Sequence, residues 1–226
     1  MFEPFVTATI QKITLFIGEH DDFFQKNPKQ RAELIEKGLK IPEAFQDYLT
    51  ELNEKDFFKD LNLIVQYASG TKDLNFRKNR FFHALTSFLT GDFARKMDLL
   101  DNEFYLYSTK DRETIVEKLI AGTSQLAEAL RNILLNQTYQ QISSAIYKLV
   151  SAVEESPYIL IQSPREIEPK LKKEIRAKIR EEKSNHFPIF QINKKLIGGI
   201  RVFKDGETTD NSWLSRVLHF TSLTSA

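Results

Sequence analysis

Apolar residues recur at helical spacing through most of the first two thirds of the chain. Val6, Ile10, Ile13 and Ile17 share one face, as do Phe57, Leu61, Ile64, Val65 and Ala68, and then Phe81, Leu85, Phe88 and Leu89. Breaks fall at Asn27-Pro28, Ile41-Pro42, Gly70-Thr71 and Gly91-Asp92. Ser108-x-x-Asp111 reads as a capping box opening a helix that carries Ile115, Leu119 and Ile120, with Gly122 as its stop. Two further stripes follow, Leu126, Leu130, Ile133 and Leu134, then Ile142, Ile146, Leu149 and Val153. Helices of this length with short connections predict an antiparallel bundle. Phe104-Tyr105-Leu106-Tyr107 is ambiguous between helix and a short extended piece.

The pattern changes after Glu155. Ser156-Pro157 breaks the last stripe, and Tyr158-Ile159-Leu160-Ile161-Gln162 is short, apolar and β-branched, which predicts a buried strand. A helix follows from Glu168-Pro169, because proline suits the first helical position; Leu171, Ile175 and Ile179 form its expected buried stripe. Phe187 to Ile192 predicts a second strand and Leu196 to Phe203 a third. Asp205-Gly206 turns the chain into a fourth extended piece from Glu207 to Thr209. Asp210 or Ser212 then caps a last helix with Leu214, Val217, Leu218 and Phe220. The expected class is α+β: an all-α helical bundle over residues 1–154, then a small β-α-β-β-α domain over 155–226.

Composition sharpens this division. Phenylalanine is concentrated early, with 14 of the 18 at or before Phe104. The formal net charge is only +1, but it is unevenly spread: from Ser156 onward 13 basic residues face 8 acidic ones, so that part carries +5 and the remainder −4. Near-balance argues against a general polyanion binder and against an acidic disordered tail. With no cysteine, disulfides, thiolate nucleophiles and cysteine-based zinc sites are excluded. No apolar run approaches the ~20 residues that span a bilayer. Met1-Phe2-Glu3-Pro4 lacks the features of a secretory signal, so the expectation is a chain of bacterial cytosolic type that meets a membrane only through partners.

Candidate chemistry is sparse. His20, His83, His186 and His219 have no second histidine at metal-ligand spacing, so no metal site is expected. Gly198-Gly199 lacks the spacing of a phosphate loop and reads instead as a bulge or a close approach within a strand. Lys170 to Lys183 holds seven basic and three acidic residues on one helix. It reads as a nucleic-acid contact, a solvated face, or a dock for an acidic segment. Glu174, Glu181 and Glu182 dilute its field, and no aromatic residue is interleaved for base stacking, which favours the solvated face. Phe23-Phe24, Phe57-Phe58 and Phe81-Phe82 read as core, or as the lining of a groove for a partner helix. Serines and carboxylates are scattered, with no G-x-S-x-G and no paired-carboxylate motif. No catalytic residue and no cofactor site is expected.

Three segments of the last part resemble, in order and spacing, the delta subunit family of F-type ATP synthases, whose mitochondrial members are called the oligomycin-sensitivity-conferring protein. They are Tyr158-Ile159-Leu160-Ile161-Gln162-Ser163, Leu196-Ile197-Gly198-Gly199-Ile200 and Thr209-Asp210-Asn211-Ser212, with Arg216 and Leu218 close to the family's Arg-Leu pair. Leu196, Ile197, Gly198, Gly199, Asp210 and Ser212 are thus signature positions of a structural kind. The resemblance implies a six-helix N-terminal bundle that grips the N-terminal helices of alpha subunits. It also implies a C-terminal unit that meets the distal end of the b subunit. The role implied is a non-catalytic stator on the cytoplasmic face of the inner membrane, with no nucleotide or nucleic acid of its own. An adaptor that binds nucleic acid through helix 170–183 is the alternative, and an enzyme with a site of scattered residues a third.

Overall fold

A computed structural model describes residues 1–71, 74–100, 103–154, 158–182, 186–204 and 207–213. Contacts divide the chain into two compact units, Met1–Ala94 with Ser108–Gln137, and Arg95–Tyr107 with Thr138–Ala226. The class is α+β, with helices leading and a small mixed sheet following.

The first unit is built from α1 (Glu3–Gly18), α2 (Pro28–Gly38), α3 (Glu43–Glu51), α4 (Glu54–Ala68), α5 (Arg80–Phe88), α7 (Thr109–Leu119) and α8 (Gln125–Asn136); a π-turn over Leu89–Phe93 leads from α5 into the short α6 (Ala94–Met97). Polar caps start α2, α4, α5, α7 and α8 where the sequence changes from loop to stripe. Asn27, Asn53, Asn79, Ser108 and Ser124 each accept a hydrogen bond from a backbone amide of the first turn, and Asn27 with Gln30 closes a full capping box. The core is a phenylalanine lattice. Phe5 stacks on Phe88 at 5.1 Å, and Phe45 meets Phe81 at 5.2 Å. Phe5, Phe23, Phe45, Phe81, Phe82 and Phe93 are fully buried in this unit.

Within the helices some stripe positions shift. Phe16 rather than Ile17 is buried at the end of α1. On α4 the inward residues are Phe57, Asp60 and Ile64, whereas Val65 and Phe58 are exposed. The Phe57-Phe58 pair is therefore half core and half surface, because adjacent helical residues point about 100° apart. Phe81 and Phe82 are both buried.

The second unit contains α9 (Tyr139–Glu154), β1 (Tyr158–Ser163), α10 (Pro169–Glu182), β2 (Phe187–Ile192), β3 (Arg201–Lys204) and β4 (Glu207–Asp210). Sheet order is β2-β1-β3-β4. β1 and β2 are parallel, with Tyr158 opposite Phe187, and α10 is their crossover. β3 runs antiparallel to both β1 and β4. Ile159, Ile161, Ile167 and Phe190 form its core, covered by Tyr139, Ile175, Ile179 and Val202.

Four expectations change here. The contacts do not divide the chain at 154/155: α9 packs on β2, so it belongs with the sheet, as does segment 95–107. Helical periodicity shows that α9 has a buried face but not which unit covers it. Glu103–Leu106 is a 3₁₀ turn and not an extended piece. The third strand is only Arg201–Lys204, and Ile197 to Gly199 forms a bend before it. On α10, Leu171 is exposed, while Lys172 and Arg176 are buried beside the partly buried Ile175 and Ile179. The Asp205-Gly206 turn and the last helix, with Leu214, Arg216, Val217, Leu218 and Phe220, lie outside the described residues.

Candidate functional site

Four of the signature residues, Gly198, Gly199, Asp210 and Ser212, assemble into one latch where β3 begins and β4 ends. Beyond the paired ends Arg201 and Asp210, the amide of Asn211 donates to the Ile200 carbonyl, and that of Trp213 to the Gly198 carbonyl, each at 2.9 Å. Gly199 bridges these contacts at φ +74°, in the left-handed region. A Cβ there would press on the Asn211 carbonyl and sit 3.0 Å from Ser212 Cα. At Gly198 it would lie 2.8 Å from Trp213 Cδ1. Ser212 is fully buried, Leu196 is buried, and Ile197 points to solvent.

Asp210 ties the two strands together. Its carboxylate accepts from Arg201 Nε at 2.9 Å and Nη2 at 2.6 Å, and from the Ser212 amide at 2.9 Å. Hydrogen bonds from the Ser212 side chain and amide, then the Arg201 guanidinium, hold its pKa down to about 2. Gly198, Gly199, Asp210 and Ser212 thus tie the start of β3 to the end of β4.

α10 is amphipathic in an unusual way, since its inward face carries two cations. Arg176 Nε and Nη2 donate to the two oxygens of Asp98 at 2.7 and 3.1 Å, and Nη1 donates to the Pro188 carbonyl at 2.9 Å. The Tyr139 hydroxyl receives Arg176 Nη2 at 3.2 Å and donates to Asp98 at 2.9 Å. The guanidinium also lies over the Phe187 and Phe190 rings, at 4.5 and 5.0 Å. Burial pushes the Tyr139 phenol far above its ordinary value, so it stays protonated as the donor in this network. On the outer face Lys170, Lys173, Lys178 and Arg180 are interspersed with Glu174 and Glu181. Two of the six basic residues within α10, Lys172 and Arg176, are thus turned inward and paired, and Lys183 lies outside the described residues.

The helical unit holds a larger opening, a groove of about 660 Å³ along α1 between α4 and α8. Ala8, Ile10, Leu15, Leu61 and Leu126 line it, with Gln11, Lys12 and Gln125 as polar members. Ala8, Gln11 and Leu15 form a second face of α1, away from Phe5, Ile13 and Phe16. Leu15 is 69% exposed. An apolar side chain held in a groove by a packed helix is the geometry that receives an amphipathic helix. One apolar stripe per helix accounts for the core and leaves this face of α1 unassigned in the sequence pattern. The available signal was that α1 is apolar over more of its circumference than one core contact needs.

Elsewhere the candidates dissolve. His20 Nδ1 meets the Phe16 carbonyl at 2.8 Å, and His83 Nε2 the Arg77 carbonyl at 2.9 Å. Among the described residues no group of three or more histidine, aspartate or glutamate side chains could hold a metal. His219 lies outside them. Among the described residues no helix is long and apolar enough to cross a membrane. No protein-family model matches the chain, and no curated protein matches it.

Proposed function

We propose that this chain is the delta subunit of an F-type ATP synthase, a stator element joining the catalytic head to the peripheral stalk. The observation that carries the reading is the order of the signature segments: strand and Ser163, Leu196-Ile197-Gly198-Gly199, then Asp210-x-Ser212, following a helical unit. Its latch also has a physical role for each of Gly199, Asp210 and Ser212.

On this reading the groove along α1 seats the N-terminal helix of an alpha subunit, with Leu15, Leu61 and Leu126 as its contacts. The sheet unit meets the far end of the b subunit. The complex lies on the cytoplasmic face of the inner membrane, and the chain touches the membrane only through partners. A stator needs affinity and stiffness, which two linked interfaces supply together, and no catalytic residue.

The nucleic-acid alternative is less favoured by α10. Its inward Lys172 and Arg176 leave a mixed exposed face instead of a basic stripe. Co-expression of the tagged chain with alpha and b subunits of its own organism tests the proposal. Both are expected to co-purify at moderate and at high salt, since apolar contacts resist screening. Capture of neither, together with nucleic-acid binding that collapses steeply as salt rises, supports the alternative.

A further inference from the structure

Lys172 lies one helical turn before Arg176 but is balanced far less completely. Its side chain is 3% exposed. Of its three N–H donors, one reaches a described acceptor, Glu166 Oε1, at 3.3 Å, and the ammonium lies 4.6 Å from the centre of the Tyr139 ring. Asp98, the carboxylate that accepts from the Tyr139 hydroxyl, has both oxygens engaged by Arg176. A buried ammonium with one long hydrogen bond is costly and has capacity for further acceptors.

Lys172 and its counter-ion Glu166 both line a cavity of about 360 Å³ within the sheet unit. Ile167, Phe190, Ile192 and Tyr105 supply its apolar walls, and Ser163 and Gln191 polar ones. The volume is at the small end of organic ligand sites, which run from about 300 to 1,000 Å³. Glu166, the counter-ion, is on the connection between β1 and α10 with its side chain 29% exposed, so it has a route toward water.

We propose that this cavity binds a small organic acid with an apolar body. The ligand carboxylate takes the Lys172 ammonium and displaces Glu166 outward, while its body rests on Ile167, Phe190 and Ile192. Among the described lining residues Lys172 is the one cation, beside Glu166, which suits a monocarboxylate; a phosphate dianion would meet too little positive charge there. The site belongs to the sheet unit alone and does not rest on the stator role.

The test is titration of the full chain with 3-phenylpropanoate and with its neutral isostere 3-phenylpropanamide, followed by calorimetry. Saturable binding of the acid is expected, with the amide at least roughly tenfold weaker. Lys172→Met, which keeps the packed stem, should remove that preference. Glu166→Gln should tighten the acid several-fold, because a competing carboxylate is gone, and a purely structural Lys172–Glu166 pair would give no such gain. No saturation up to roughly 10 mM overturns the proposal. So does equal binding of acid and amide, an unaltered preference in Lys172→Met, or a Glu166→Gln affinity no better than the parent's. If Lys172→Met fails to fold, the amide and Glu166→Gln arms still decide.

Discussion

At the residue scale, Gly199 and Asp210 carry the most specific expectations. Gly199→Ala combines left-handed backbone, costing about 1–2 kcal/mol, with overlap against backbone that cannot yield, so a loss of about 2 kcal/mol or more is expected. Trp213 is the chain's single tryptophan and packs on Gly198, so its fluorescence during urea unfolding reads the latch directly. An unchanged midpoint would show that the glycine is not required. Asp210 has a folded pKa of about 2, below the ordinary value of about 3.9. Its contribution is therefore complete above about pH 4 and is lost as pH falls toward 2. Acidification should loosen the Trp213 environment over that window, and Asp210→Asn should flatten the response. The need for a glycine was legible in the sequence, but its reason was not. Gly199 lies in a bend under Ser212, not in a strand, and a positive φ leaves no mark in hydropathy.

At the element scale, α10 separates what a sequence pattern reveals from what it hides. Its start at Pro169 and the strands on either side follow from proline chemistry and β-branched runs. Its rotation does not. Apolar spacing points to Leu171, yet Lys172 and Arg176 face inward; the charge that balances Arg176, Asp98, lies 78 positions earlier, and Lys172 meets Glu166. Arg176→Met is expected to cost about 3–5 kcal/mol, since it leaves Asp98 buried and unpaired. Adding Asp98→Asn should restore part of that loss, which a double-mutant cycle of urea midpoints would measure. In α4 the buried stripe likewise includes a carboxyl, Asp60, whose pKa burial pushes above the usual range. The folded state then holds a proton that the unfolded chain releases. Stability should fall as pH rises from about 4 through the raised value, and Asp60→Asn should lessen that fall in thermal unfolding.

At the scale of the whole molecule, helices before sheet, strand order along the chain and the absence of cysteine chemistry were all legible. The boundary between units was not, because α9 keeps the same 3.6-residue period whichever unit covers it. Nor was the groove, which is made by α1, α4 and α8 and depends on a second face of α1 that carries Leu15. The stator reading places the alpha contact on that groove. Calorimetric titration of the full chain with a peptide of its own organism's alpha-subunit N-terminus tests this most directly. Saturable binding little changed by salt is expected, with a loss of tenfold or more, about 1.4 kcal/mol, on Leu15→Asp. No heat with the folded parent chain, or equal affinity for the Leu15→Asp variant, would contradict it.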